Sequence, residues 1–430
     1  MRRTIQYLAV TVFVIGLIAA ALILLGSEGL GWRLEALQAQ IKYALNPPEQ
    51  QVFVPATLEG VLASATPTHT RTATPTIALE TLAPTNTPVV PTATPSPTLT
   101  PTPLLPSVRL SGILHQYQMW NNCGPANLAM ALSYWGWKGD QRNTAAFLKP
   151  NQRDKNVMPY EMEAFVEQET DLEAVVRVGG DLQTLKAFVA EGLPVIVEKG
   201  FEGVGFDGWM GHYQVVNGYN DTKGVFYVQD SYKGPDLEIP YEDMLSHWRA
   251  FNYTYLVIYP ADRRQQVLNI LGLQAYDNFN LHTAKQQAVQ DAARLSGRDL
   301  FFALFNQGTN QVALQDYAAA ASAFDAAFAN YAQIPEDQRP WRMMWYQTFP
   351  YYAYFFTGRY TDVINLATQT LDASSEPILE ESFYWRARAL NALGDSEAAI
   401  ADLQTCLEVH PGFAPCEEEL RKLGIDPDAS

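Results

Sequence analysis

Hydrophobic and polar positions change their pattern several times along this chain, and each change marks a different kind of segment. Tyr7 to Leu25 is apolar without a charge, close to the ~20 residues that cross a bilayer as a helix. Between 63 and 106 the periodicity disappears. From 107 to 262 short runs alternate between strand and helix periods, and from there to about 425 the helical spacing takes over. In the third segment, Leu-Ala-Met-Ala-Leu after Pro125 reads as a helix, as does Pro159 to Gln168. Ala174-Val-Val-Arg-Val reads as a strand, Asp181 to Glu191 as a helix, and Gly192-Leu-Pro-Val-Ile-Val-Glu-Lys as a strongly apolar strand. Strands at 211–219, 224–230 and 253–259 follow, with a short amphipathic helix at 241–248. Helices first and an antiparallel sheet second predict an α+β domain with a groove between the two layers.

Arg2 and Arg3 precede the apolar run, and the excess of positive charge on the cytoplasmic side predicts that residues 1–6 stay inside and everything after Gly26 lies outside. A cleaved signal peptide is the alternative, but its apolar core is usually roughly 7–15 residues and no small-x-small site follows Leu25. The reading is therefore an uncleaved anchor over 7–25. In the juxtamembrane segment 26–62, Trp32 to Leu45 suggests a short helix with Leu34, Leu37, Ile41 and Leu45 on one side. A plain spacer is the simplest role for it; the alternatives are lying on the membrane surface or pairing with a second copy. Residues 63–106 are Thr, Pro, Ala and Ser with only Arg71 and Glu80 charged. Such a tract cannot bury a core, and as a disordered, semi-rigid linker it predicts a stalk reaching on the order of 100 Å at about 3.1 Å per residue. Its Thr-Pro repeats also suit O-glycosylation.

Candidate chemistry begins at Asn-Asn-Cys-Gly-Pro-Ala, 121–126. Cys123 opens a predicted helix, where unpaired N–H groups and the positive end of the macrodipole favour a thiolate. Pro125 falls in the first turn, where its missing N–H costs nothing. His212 lies at the start of an alternating strand and Asp230 closes the next one, so an antiparallel pair can set an imidazole beside its carboxylate. Any of these residues alone also fits a buried structural role; it is the combination that points to nucleophilic catalysis. His69, His282 and His410 lie in segments not placed to serve Cys123, and His115 and His247 are weaker rivals with a structural or rim role. The loop Lys199 to Gly211, with Phe201, Phe206, Trp209 and Met210, reads as a substrate wall or lid, or as a surface loop tucking its aromatics into the core.

The order of a Cys-Gly-Pro-Ala helix start, a Gly-His-Tyr strand and a following strand ending in Asp resembles the bacteriocin-processing, double-glycine leader peptidases, cysteine-peptidase family 39 of the papain-like clan, over roughly 107–262. The resemblance implies a papain-like fold with Cys123 as nucleophile, His212 as general base and acid, and Asp230 orienting the imidazole. It also implies an upstream glutamine that helps bind the oxyanion; Gln118 is the nearest fit and Gln116 its rival. Ser231 stands where the family usually has proline. No ABC-transporter portion accompanies the domain in this chain, so the leader-peptide substrate does not carry over.

Beyond a helical connector at 263–297, the chain is rich in Ala, Tyr and Phe, and a turn followed by an apolar helix recurs at Leu314-Gln-Asp-Tyr, Gly358-Arg-Tyr and Gly394-Asp-Ser. Aromatic-rich helices precede the turns at Leu300 to Phe305, Trp345 to Phe356 and Phe383 to Leu393. The spacing is close to a period of about 34 residues, and 298–425 resembles tetratricopeptide repeats, which implies a surface for protein or peptide. A structural helical cap is the alternative.

A net charge of −17 fits an acidic exterior and argues against anionic partners. With no basic patch or phosphate-cradling loop, nucleic acid is not expected. No cofactor is expected, and no cysteine or histidine spacing predicts a metal site. Of three cysteines, Cys406 and Cys416 can pair only if the turn at Pro411-Gly412 brings them together, leaving Cys123 free. The whole reads as a membrane-anchored, extracytoplasmic cysteine peptidase acting on a peptide or protein. An inactive papain-like scaffold is one alternative, and an amidase or transferase acting on cell-wall peptides is another.

Overall fold

The computed structural model describes residues 16, 37, 41, 52–56 and 104–427, apart from 152, 204–207 and 375. The predicted cytoplasmic N-terminus, the anchor at 7–25, most of the juxtamembrane segment and nearly all of the Thr/Pro tract lie outside these residues. No helix among the described residues is long and apolar enough to cross a membrane.

Seven strands form one antiparallel sheet: β1 (Ser107–Arg109), β2 (Leu172–Arg177), β3 (Val195–Glu202), β4 (Trp209–Asn220), β5 (Val225–Asp230), β6 (Gly234–Pro240) and β7 (Tyr255–Pro260). Their order is β2-β7-β3-β4-β5-β6, with β1 pairing against the far end of β4. Helices α1 (Cys123–Tyr134), α2 (Gln141–Leu148) and α3 (Pro159–Glu169) cover one face, where Leu128, Met130 and Leu132 pack with Ile196, Val215, Leu256 and Ile258. On the other face α4 (Leu182–Ala190) and α5 (Tyr241–Trp248) bring Leu185, Phe188 and Trp248 against Val195, Val197, Val216 and Val257. Neighbouring residues along β3, β4 and β7 thus belong to opposite cores, as the two-residue period of a strand requires. Because both faces are covered, Val195-Ile196-Val197 is apolar throughout.

Three elements were not among the sequence expectations. The helix α2 is polar and starts at Asp140, whose side chain accepts from the Arg142 N–H while Asn143 reaches back to the Asp140 N–H. Strand β1 is three residues long. Strand β6 is an edge strand carrying glycine, proline and acids, a composition that reads as a turn. The predicted loop at 199–211 is also revised. Strand β3 continues to Glu202 and β4 begins at Trp209, pairing Lys199 with His212 and Phe201 with Met210, so most of the segment is a hairpin rather than a lid.

After α6 (Arg264–Leu271) and α7 (Asp277–Arg294) come three helical hairpins: α8 (Gly297–Ala313) with α9 (Tyr317–Tyr331), α11 (Phe349–Phe356) with α12 (Tyr360–Asp372), and α13 (Glu380–Ala392) with α14 (Ser396–Val409). The short α10 (Met343–Tyr346) precedes the second and α15 (Ala414–Lys422) ends the series. Asp316 and Asp395 cap α9 and α14 in the same way, each side chain accepting the N–H three residues on. The helix expected at Trp345 to Phe356 is broken at Gln347 and Thr348 and restarts with Pro350 in its first turn. Cys406 and Cys416 form a disulfide between α14 and α15, their Cα atoms 6.6 Å apart.

The sheet region and the helical region belong to one compact unit. Trp209 stacks between Phe251 and Phe302 at 6.0 and 5.8 Å. Asn252 and Asn310 exchange side-chain hydrogen bonds of 2.8 and 3.0 Å, and Arg342 donates to the Trp209 carbonyl at 2.9 Å.

Candidate active site

Cys123 is the first residue of α1, and the residues ahead of it are held from several directions. Asn121 takes a left-handed φ of 53°, which asparagine tolerates better than most residues. Lys149 donates to the Asn121 carbonyl at 3.2 Å and to Asn122 Oδ1 at 3.1 Å. Gln141 accepts from the Met119 N–H at 2.7 Å and donates to the Tyr117 carbonyl at 2.8 Å. Asn127, one turn into the helix, donates to the carbonyls of Cys123 and Tyr213 and to Ser231 Oγ at 2.9, 2.8 and 2.9 Å. Helix α1 is thereby tied to β4 and to the turn after β5.

His212 on β4 and Asp230 at the end of β5 are both buried, with His212 Nε2 3.0 Å from Asp230 Oδ1. Cys123 adds to the rise of the same imidazole's pKa; since Nε2 is taken by Asp230, Nδ1 is the nitrogen left to face sulfur. The same Asp230 oxygen accepts the N–H groups of Tyr232 and Lys233, each at 2.8 Å, and Gln214 Nε2 binds the other oxygen at 2.5 Å. Burial opposes charge on both partners. For the imidazole, the charge and hydrogen bond of Asp230, with Cys123 adding to them, outweigh burial and raise its pKa to about 9. For Asp230, His212, the Lys233 N–H and Gln214 outweigh burial and hold the carboxyl well below the usual carboxylate range. The Phe201 ring lies 4.8 Å from the imidazole, centroid to centroid, shielding it from water.

Gln118 enters through its backbone and its side chain. Its N–H donates to the Ser231 carbonyl and its Oε1 accepts from Ser231 Oγ, both at 2.8 Å. With the amide oxygen so engaged, Nε2 is the end available as a donor. Gln116, its rival, instead accepts from the Gln141 N–H at 2.9 Å and helps start α2. The serine in place of proline therefore does more than change a turn: its hydroxyl links Asn127 on α1 to Gln118.

Other residues came into view only with the fold. Gln214 was overlooked, although two residues after His212 on one strand places it on the same face. Glu198 lies opposite Tyr213 in the β3–β4 register and is buried; burial, with Cys123 adding to it, pushes its carboxyl well up despite the nearby Tyr213. Lys199, opposite His212, is pulled down to about 8 by burial despite Asp230. His247 contacts the Asp243 carbonyl on its own helix at 2.7 Å. His115 feels the charge of Asp230, but burial keeps its imidazole below the ordinary value. Among the described residues, Asp154, Glu380 and His410 place ligand-type atoms within 4.8 Å of one another. That donor set suits a divalent metal, and the 3.1 Å His410–Glu380 contact engages two of its groups with each other.

Residues 111–256 match the model of the Peptidase_C39 like family, making this part of the chain C39-like. Among solved structures, one described as a C39-like peptidase from Bacillus anthracis has 19% sequence identity and a TM-score of 0.29, with 35% of this chain and 96% of that chain covered. A double glycine motif protease from an AMS/PCAT transporter, in complex with the leader peptide, is 21% identical with a TM-score of 0.28, covering 36% of this chain and 94% of its own. No curated protein matches the chain.

Proposed function

We propose that the C39-like region is a papain-like cysteine peptidase that cleaves a peptide bond through Cys123, His212 and Asp230. The observation that carries this reading is the buried imidazole held by Asp230 on one nitrogen, its pKa raised by Asp230 with Cys123 adding to the rise, inside a region matched by a peptidase family model. In this mechanism the Cys123 thiolate attacks the scissile carbonyl carbon. Gln118 Nε2 and the Cys123 backbone N–H, which the helix start leaves without an intrahelical partner, receive the oxyanion. The His212 imidazolium gives its proton to the leaving amine, and the acyl-enzyme forms. Neutral His212 then takes a proton from water, which releases the acid and restores the thiolate–imidazolium pair.

Outside the cytoplasm is the compartment this reading favours. The apolar run 7–25 suits an anchor, and the Cys406–Cys416 disulfide suits an oxidising environment. The three helical hairpins form a tetratricopeptide-like array in the same reading, presenting a protein or peptide surface beside the peptidase.

The test is the pH dependence of iodoacetamide alkylation at Cys123, run beside turnover of a mixed peptide library. Labelling that stays fast well below the free-thiol value of about 8.5, and is lost in His212→Ala together with turnover, is the expected result. Slow labelling indifferent to His212→Ala would overturn the activated pair and favour a peptide-binding scaffold. Fast labelling with no hydrolysis, but with acyl transfer to an added amine, would favour a transferase through the same acyl-enzyme.

A further inference from the structure

The helical region does not stand without a ligand of its own. Phe53, far upstream and ahead of the Thr/Pro tract, is only 5% exposed and belongs to the same apolar core as Phe301, Phe305, Met344 and Leu366. Its ring meets Phe328 of α9 edge-on at 5.0 Å and Tyr354 of α11 at 6.0 Å. Val52 packs against the same core, while Val54 is 74% exposed. Residues 52–56 have no helix or strand of their own; an extended stretch with one buried aromatic anchor is how a peptide sits on a helical array. A cleft lined by Tyr331, Trp341, Met343 and Ala373 continues beside Phe53, so the anchor fills part of a longer groove.

We infer that the groove between α8, α9, α11 and α12 is a docking site for the chain's own residues 52–56, which strap the N-terminal segment onto the helical region. The occupant is the same chain, because tethering converts docking into an intramolecular event at high effective concentration. A topological consequence follows. Pro55 and Leu105 belong to the same compact unit, so the Thr/Pro tract leaves that unit and returns to it. Residues 26–51, not 63–106, then set the distance from any anchor at 7–25.

The experiment uses the full chain in detergent with a specific protease site placed within the Thr/Pro tract. After cleavage, the N-terminal fragment is expected to co-elute with the folded unit on size exclusion. An excess of synthetic peptide spanning residues 49–58 is expected to displace it by at least tenfold in the fraction retained. Phe53→Asp is expected to release the fragment, and Val54→Asp, at an exposed position, to keep it. Loss of the wild-type fragment on cutting, or equal retention in Phe53→Asp, would overturn the strap. Mixing two differently tagged copies before cutting tests the intramolecular assignment: recovery of one copy's fragment on the other's folded unit would overturn it in favour of an exchanged arm.

Discussion

Asp230 receives a hydrogen bond on each carboxylate oxygen and is fully buried, so its loss should be felt through His212 before it is felt anywhere else. In Asp230→Asn the leading raising influence on the imidazole is lost, Cys123 alone remaining to oppose burial. An NMR titration of His212 should therefore move down from about 9, and kcat/KM should fall about 10²–10⁴-fold. The stability linkage has a definite sign. Because the folded imidazole pKa is raised, its contribution is complete below pH 6.5 and is lost as pH climbs through about 9. Asp230, with its pKa lowered, contributes above its ordinary 3.8 and loses that contribution as pH falls through the folded value. Turnover in the wild type should decline on the alkaline side near pH 9, where the proton needed by the leaving amine is gone. At Gln118, replacement by alanine removes the proposed oxyanion donor and should lower kcat about 10²-fold with little change in KM. Ser231→Ala, which frees both Gln118 and Asn127 from their shared anchor but leaves the Gln118 side chain in place, should cost less. Equal losses in the two variants would mean that Gln118 acts by holding the loop.

The elements carry these residues with little slack. Gly211, just before His212, has Phe251 and Tyr346 where a side chain would go: an added Cβ would lie 2.7 Å from Phe251 Cζ and 3.0 Å from Tyr346 Cδ1. Gly211→Ala should therefore destabilise the protein by about 1–3 kcal/mol, read by denaturant unfolding. It should also slow Cys123 alkylation, because the strand displaced is the one that bears the imidazole. Wild-type stability in this variant would show that the rings move aside freely. Strands buried on both faces and the α1 helix were legible because their patterns are strong. Helix α2 and strand β6 were not, since a polar helix held by a capping box and an edge strand paired on one side have little apolar signal. At 199–211 the reading with aromatics tucked into the core is the one that Phe201 and Trp209 follow. Phe201 and Trp209 extend a hairpin and bury against partners supplied by distant parts of the chain.

For the whole molecule, the seam between sheet and helices is the structural feature with the widest reach. Trp209 is 4% exposed and joins Phe251 to Phe302 across it. Trp209→Ala should cost about 3–5 kcal/mol and lower the unfolding midpoint of both regions together; separate transitions would show that the regions unfold independently. Replacing Cys406 and Cys416 together by serine should cost about 2–3 kcal/mol, with the effect concentrated in α14 and α15 on hydrogen exchange. The sequence by itself determined the order of local elements, the antiparallel sheet followed by a helical series, and the helix start and strand ends that carry Cys123, His212 and Asp230, because each follows from periodicity and terminus chemistry within a short window. Tertiary structure alone decided which glutamine meets Ser231, that Gln214 grips Asp230, that Cys406 reaches Cys416, and that Phe53 lies in a groove formed some 250 residues later in the chain. Those contacts depend on distances between elements far apart in sequence, and no local pattern encodes them.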